Sequence, residues 1–481
     1  MANYVLTGTL YPATPEQPYA YLPFEVPEGT TRLWVHYHYG EGNVIDLGLL
    51  DPRIEGESFP ATRGFRGWSG GARDHFSVSE TEATPGYLAG DLFPGTWFVM
   101  FGLYKVQPQG CRYQVEITLE TGSQGTMRRL TESGGRTLQR TGAGWYRGDL
   151  HAHTHHSDAK GSLHDLVRVA EARGLEVLAV TDHNTVSHHH ELRQLETPLL
   201  LIPGQEVTTS RGHANVWGET GWADFRLTHD ADLPQLIERV HASRGLFSIN
   251  HPKGTEHNWR YPIPEHFDGL EVWQSAWAYR NWESVALADT LLKQGRHFTF
   301  VGGSDRHQPG WPDTDAHFLQ VGTPTTWLYL EEWTVAGALA ALRSGRTCIS
   351  ESPTGPWLEL EVAGVLMGGT LASSREVCPV QTSITGASGC TLRYLSDRGV
   401  VRTVTISDDT FTDSWLWQPE GHFLRAEVVA DSAAGAEETR LELSAAGVIL
   451  SDAQLAEVLS KPRLRALSNP VFVSTRALPE H

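Results

Sequence analysis

The chain has 481 residues, 40% of them hydrophobic and 20% charged, which excludes a globally disordered protein and allows two or three domains with sizeable cores. A formal net charge of −19 excludes a chain whose main partner is nucleic acid, because phosphate backbones call for a basic face. Cys111, Cys348, Cys378 and Cys390 have no CxxC spacing, so neither a disulfide framework nor a thiolate zinc site is expected.

The opening stretch "MANYVLTGTLYPATPEQ" has no basic region ahead of a long apolar one, and no segment approaches the apolar length of a membrane span. A soluble, cytoplasmic protein without a membrane partner is the expectation. Residues 1–140 then carry short β-type runs, "YAYLPFEV", "RLWVHYHYG", "VIDLGLL", "GTWFVMFGLY" and "RYQVEITLE", separated by Pro, Gly, Asp and Ser clusters. Such spacing predicts an antiparallel sandwich. In the last run Tyr113, Val115, Ile117 and Leu119 alternate with polar residues, as a sheet with one solvated face requires. Residues 121–145, rich in Gly, Ser, Thr and Arg, read as a linker.

From residue 146 strand and helix alternate. Ser162 and Asp165 stand at capping-box separation, Leu166, Val169 and Ala170 follow at helical spacing, Gly174 stops the helix, and "VLAVT" reads as a buried strand. "LLLIPG", "LFSIN", "GLEVW" and "FTFVGG" continue the pattern, with helices predicted at 232–244, 281–295 and 331–344. An α/β barrel or a layered sheet over 146–345 is implied. Beyond it the β-rhythm returns in "PWLELEV", "PVQTSITG", "TLRYLS", "VVRTVTI" and "HFLRAEVVA", predicting a C-terminal β-sandwich over 346–481 that ends in the helix "SDAQLAEVLS" and the strand "PVFVST".

The densest chemistry lies in "GDLHAHTHHSD", residues 148–158. In extended chain, residues two apart point the same way about 6.6 Å apart, so His151 and His153 can converge on one metal ion. Asp158 follows where the chain could turn back. His183, Glu206, His251, Asp305 and His307 each stand at or just past the C-terminal end of an apolar run, with His213 seven residues after Glu206. In parallel α/β architectures those ends form one face, where residues far apart in sequence meet. Six histidines and three carboxylates exceed one four-coordinate site and indicate two or three divalent ions; imidazole and carboxylate without thiolate suit Zn, Mn or Fe. Such a centre stays positive and attracts an anionic small molecule.

"DLHAHTHHSD", "TDHN", "GQEVT" with "GHANVWG", "NHP" and "GSDRH" resemble the ordered motifs of the PHP superfamily (polymerase and histidinol phosphatase). The flanking β-rich regions are similar to the CehA/McbA branch of metallohydrolases. The resemblance implies a distorted (β/α)7 TIM-like barrel whose metals sit at the C-terminal face, with His151, His153, Asp158, His183, Glu206, His213, His251, Asp305 and His307 as ligands. Where some members have a histidine just after the position of Asp158, this chain has Ala159, which favours two ions over three.

The expected reaction is hydrolysis: a hydroxide bridging the metals attacks phosphorus, Glu206 is the bridging carboxylate, and His307 or His213 protonates the leaving group. Lys253, Arg211 and Arg306 adjoin the motifs and either grip an anionic substrate or lie solvated. Asp182 and Asn184 are expected to support their neighbours. His188, His189 and His190 are expected to decorate a loop or helix near the barrel mouth. Trp273, Trp277, Tyr279 and Trp282 either wall a pocket or pack the core. A phosphomonoesterase or phosphodiesterase is the first expectation, hydrolysis of a carbamate, amide or carboxylic ester the second, and a non-catalytic carbohydrate- or partner-binding protein the third.

Overall fold

The alternation of apolar and polar residues in the first third of the chain becomes alternation of buried and exposed side chains along each strand. The computed structural model describes residues 2–54, 59–122, 142–254, 258–308, 319–372 and 376–474; most of the expected linker, 123–141, lies outside them. β1 (Ala2–Leu10), β2 (Tyr19–Val26), β3 (Thr30–Tyr39), β4 (Val44–Leu50), β5 (Phe65–Gly70), β6 (His75–Ser79), β7 (Gly95–Lys105) and β8 (Cys111–Thr121) form two antiparallel four-stranded sheets, in the orders β1-β8-β3-β6 and β2-β7-β4-β5. On β8 Val115, Ile117 and Leu119 are buried, as the alternation predicts, and they meet Leu47, Val99 and Phe101 of the facing sheet in one core.

The central part runs β9 (Gly144–Asp149), α1 (Leu163–Ala172), β10 (Val177–Val180), α2 (His188–Gln194), β11 (Leu200–Thr209), β12 (Gly212–Trp217), α3 (Asp232–Ala242), β13 (Leu246–Ile249), β14 (Gly269–Gln274), α4 (Asn281–Lys293), β15 (Thr299–Gly303), β16 (Thr325–Leu330), α5 (Val335–Ser344) and β17 (Thr347–Ser350). Ser162 caps α1 in a capping box with Asp165, as its spacing predicts. The predicted helices at 232–244, 281–295 and 331–344 correspond to α3, α4 and α5.

Strands β9 to β15 lie in sequence order. They are not uniformly parallel, as a regular βα repeat would make them: β12 runs antiparallel to both β11 and β13, and β16 runs antiparallel to β9. The β11–β12 connection is a tight hairpin, since two residues cannot carry a crossover. Among the described residues no continuous ladder closes the ring. Beyond β9 the chain bends instead to the end of β15 through one parallel bridge, Ala152 with Arg306, reinforced by Asp305 N to His151 O at 2.7 Å and His153 N to Arg306 O at 3.0 Å. The approach needs glycine, because a Cβ on Gly303 would lie 2.3 Å from Cβ of His151.

The C-terminal part comprises β18 (Trp357–Val362), β19 (Val365–Leu366), β20 (Thr370–Leu371), β21 (Cys378–Thr385), β22 (Thr391–Ser396), β23 (Gly399–Thr405), β24 (Thr410–Trp417), β25 (Phe423–Val429), α6 (Ser432–Ala445), α7 (Asp452–Leu459), β26 (Leu464–Ser468) and β27 (Val471–Val473). β19-β18-β21-β24 form a separate sheet, whereas β26, β25, β22 and β23 extend the central ladder through β17. The expected C-terminal sandwich is therefore hydrogen-bonded into the central sheet along one side. All four cysteines are buried and free. No helix among the described residues is long and apolar enough to cross a membrane.

Candidate metal centre

Strand order brings the chemistry-bearing residues to one end of the central sheet. His151 and His153 follow β9, His183 follows β10, Glu206 lies in β11, His251 follows β13, and Asp305 and His307 follow β15. His213 differs from expectation. It stands near the start of β12, opposite Thr208, and reaches the same end because that strand runs backwards. His251 (φ 28°) and Asp305 (φ 51°) adopt left-handed backbone conformations, strained for residues with a Cβ. That strain falls on two of the nine residues expected to ligate metal.

Three overlapping groups of donors result: His151, His153, Glu206 and Asp305; His153, His183 and His307; and Glu206, His213 and His251, the ligand atoms of each lying within 4.8 Å of one another. Glu206 faces both ways. Its Oε1 is 3.2 Å from His151 Nε2, 3.3 Å from His213 Nδ1 and 3.4 Å from His251 Nε2, while Oε2 is 2.7 Å from His183 Nδ1 and 3.7 Å from His153 Nε2. Asp305 Oδ1 is 2.9 Å from His153 Nε2 and 3.3 Å from His151 Nε2. Asp158 joins at the rim, 3.2 Å from His307 Nε2 and 3.6 Å from His183 Nε2. All nine expected ligands are thus brought together.

His151 tests whether a cation fits. Its Nδ1 is 2.9 Å from Glu271 Oε1, leaving Nε2 buried without a hydrogen-bond partner among the described residues and aimed between Glu206 and Asp305. A nitrogen lone pair facing two carboxylates is repulsive, so either a proton or a cation belongs there. The titration behaviour agrees. Burial opposes charge on His151, but Asp305, Glu206 and Glu271 outweigh it and hold its imidazole well above the ordinary range. Burial likewise opposes charge on His183, yet Glu206 and Asp158 bring it up to about 9. Burial, with His307 and His183 beside it, pushes His153 down to about 4. Glu206 and Asp305, despite burial, are held well below the carboxylate range by the surrounding imidazoles, His151 foremost. Protons on histidines thus balance buried carboxylates, a task divalent ions bound by neutral imidazoles would take over.

Supporting residues surround the donors. Asn250 Nδ2 donates to Glu206 Oε1 at 2.8 Å, His251 N to Glu271 Oε2 at 2.9 Å, and Gln274 Nε2 to Asp305 Oδ2 at 2.8 Å. Sequence reasoning missed all three supports, Glu271, Asn250 and Gln274. For Glu271 the signal was a carboxylate inside the apolar run "GLEVW". Asp182 accepts from Thr154 N, Ser157 N and both their hydroxyls, shaping the loop that carries Asp158. Asn184 binds the backbone of Thr208 through both amide atoms.

A cavity of 1210 Å³ lies over the donors, lined by Asp158, His183, His213, His251, Asp305 and His307 among others. Lys253 and Arg211 line it; Arg306 does not, serving through its backbone carbonyl. Lys253 Nζ donates to Gln274 Oε1 at 2.6 Å and Asn281 Oδ1 at 3.0 Å, and burial pushes its pKa down to about 7. The triple histidine lies on α2, where His190 is exposed, but His188 and His189 are not decoration: they are buried, their Nε2 atoms 3.1 Å from Val180 O and 2.9 Å from Gly204 O. Of the aromatic cluster only Tyr279 lines the cavity; Trp273 and Trp277 belong to the core and Trp282 packs against it. A separate group, His155, His156 and Glu191, lies nearby, with both ring nitrogens of His156 engaged by Ser187 and Glu191.

The roof of the cavity comes from the N-terminal sheet: Tyr19, Asp46, Trp68, Gly70, Gly102 and Tyr104 line it. Trp68 packs on Phe225 with ring centroids 4.8 Å apart, Phe65 stacks on Trp222 at 4.3 Å, and Gly86 is hydrogen-bonded to Thr185 and Ser187.

Parts of the chain are similar to known proteins. A 125-residue stretch is 27% identical to an uncharacterized protein of Methanocaldococcus jannaschii, covering 22% of this chain and 67% of that one. A 126-residue stretch is 28% identical to a 5'-3' exoribonuclease of Haemophilus influenzae, covering 26% of this chain and 44%, less than half, of that one. Among solved structures, a two-domain protein of Bacteroides vulgatus containing a predicted PHP-like metal-dependent phosphoesterase is 19% identical, with TM-score 0.36, over 63% of this chain and 95% of that one. An amidohydrolase of Chromobacterium violaceum, with bound sulfate and no metal, is 16% identical, with TM-score 0.24, over 34% of this chain and 88% of that one. Residues 149–272, which contain seven of the nine converging donors, match one family, and this part of the chain is a PHP domain.

Proposed function

We propose that the protein is a metal-dependent hydrolase holding two or three divalent ions of Zn, Mn or Fe, and that it cleaves phosphate esters of a small molecule. The observation that carries this reading is the orphaned, buried Nε2 of His151, aimed between Glu206 and Asp305, the latter lining a large cavity. His151, His153, Asp158, His183, Glu206, His213, His251, Asp305 and His307 would hold the ions. When bound, such ions act as Lewis acids and bring the pKa of water near neutrality.

The side chains have distinct tasks. Glu206, with one oxygen toward His151, His213 and His251 and the other toward His183, is suited to bridge. His307 lies nearer the opening beside Asp158, and its Nε2 either ligates or, in place of ligating, carries a proton for a leaving group, a task favoured by Asp158 and Asp305, which outweigh burial and raise its pKa. His213, buried within its donor group and pushed down to about 4 by burial, is better suited to ligate than to carry a proton. Lys253 and Arg211 would draw the anionic group inward. In this reading β9 to β15 form the distorted barrel, bridged at Ala152, with residues 1–140 as a roofing sandwich, 146–345 as the catalytic domain and 346–481 as a C-terminal β-rich domain.

The aromatic lining from Tyr19, Trp68, Tyr104 and Tyr279 favours a second reading, an aryl carbamate or carboxylic ester of the kind split by CehA/McbA-type hydrolases. One experiment separates the two. Protein purified without added metal is assayed for bound metal by plasma mass spectrometry, then given phosphate monoesters, phosphodiesters, aryl carbamates and carboxylic esters after metal loading. Phosphate release that is abolished by chelator and by His151→Ala supports the first reading. Turnover of carbon esters alone supports the second, and no turnover on any panel leaves a binding protein.

A further inference from the structure

Asp46 on β4 is a carboxylate that the hydrolytic machinery does not use. It lies on the strand face opposite Ile45, Leu47 and Leu49, which are fully buried in the N-terminal core, and so looks into the cavity above the donors. Its register partner is Gly102, where a Cβ would stand 3.0 Å from Asp46 Oδ2; Cβ atoms on Gly70 and Gly71 would stand 3.8 and 3.6 Å from Oδ1. Three glycines therefore clear a space around it. No hydrogen bond or ion pair reaches Asp46 from the described residues. A half-buried carboxylate without a partner is unfavourable, and burial pushes its pKa up to about 7; a hydrogen-bonding group from outside the chain would stabilise its charged form.

What that group is follows from its surroundings. Lys253, Arg211 and Arg260 line other parts of the cavity and suit the anionic end of a substrate, whereas Asp46 and nearby Asp158 repel a second anion. Trp68 and Asp46 flank the same glycine, a Cβ on Gly102 standing 2.7 Å from Cη2 of Trp68 and 3.0 Å from Oδ2 of Asp46, and Tyr19 and Tyr104 line the same roof. A carboxylate among aromatic side chains is a setting that suits an ammonium group, which it takes by a charge-assisted hydrogen bond while the rings cover the attached carbons.

We propose that Asp46 determines specificity: within the phosphoesterase reading above, on which this inference rests, it accepts a hydrogen bond from an ammonium group on the organic part of the substrate, selecting aminoalkyl phosphates over plain alkyl ones. The full-length metal-loaded protein is titrated calorimetrically with ω-aminoalkyl phosphates of increasing chain length and with n-alkyl phosphates of equal length. Phosphate release is followed separately on the same compounds. The wild type is expected to bind at least one amino ligand about tenfold more tightly than its alkyl counterpart, the scale of one charge-assisted hydrogen bond. Asp46→Asn and Asp46→Ser are expected to bring that ratio to about one, with thermal unfolding and metal content confirming that they fold. An unchanged ratio in both variants, or no preference in the wild type, overturns the proposal. Preferential binding without phosphate release overturns the phosphoesterase reading and leaves the role of Asp46 standing. Phosphate release without preference does the reverse, and no binding of either series overturns both.

Discussion

His151 owes its orientation to Glu271, whose two oxygens hold its Nδ1 and the backbone N of His251. Replacing Glu271 with Gln keeps the shape but weakens the hold on two ligands, and metal affinity is expected to fall about 10- to 100-fold, read by competition with a chromogenic chelator. A second expectation follows from the protons on the cluster. His183, brought up to about 9, and His151, well above its ordinary range, carry protons at neutral pH in the metal-free protein, while ligands must be neutral. Metal binding should therefore release protons, and affinity should rise with pH toward 9. Calorimetry in buffers of different ionisation enthalpy counts them; a binding heat independent of buffer would contradict it. Most of the nine donors were legible because His183, Glu206, His251, Asp305 and His307 stand where apolar runs end and His151, His153 and Asp158 crowd one short motif. Glu271 and Asp46 were not, because each is a single charge inside a run that otherwise reads as plain β-strand.

The fate of the elements shows which physical signals survive in sequence. α1 was legible from cap to stop, since Ser162 and Asp165 carry the start and Gly174 the end. α6 was not: its buried residues are Gly435, Thr439, Glu442 and Leu443, and Glu442 is held by Arg463 at 2.8 Å, so an ion pair replaces the apolar stripe that periodicity detects. The backward course of β12 was hidden as well, because a hairpin and a crossover differ in connection and not in strand pattern. α2 carries a pH dependence. Burial pushes His189 down to about 3, so the unfolded chain binds the proton more readily. The contribution of this group to stability is complete above the ordinary histidine pKa and is lost as pH falls toward 3. Between pH 7 and 5 the loss is about 2 kcal/mol. Urea midpoints across that range should slope less in His189→Leu than in the wild type.

At the scale of the molecule, the central ladder is continuous from β15 to β23, and the C-terminal strands are pinned to α4 by Arg425, which reaches Asp289 at 2.7 Å and Glu427 at 2.6 Å. Removing Arg425 leaves Asp289 without this partner and Glu427 held by Arg393 alone, and Arg425→Ala is expected to lose about 2–3 kcal/mol in guanidinium unfolding. The three-part organisation was legible as changes of rhythm along the chain; the joining of the third part to the second was not, because strand pairing across 118 residues, from Ile349 on β17 to Leu467 on β26, leaves no local mark. The roof has a different consequence. The connection from β1 to β2 and residues 102–104 near the end of β7 border the basin but belong to elements that carry none of its nine donors. Variation confined to those segments can retune which molecules are admitted while the bond-breaking apparatus stays intact, so new appetites need not be acquired at the expense of old chemistry.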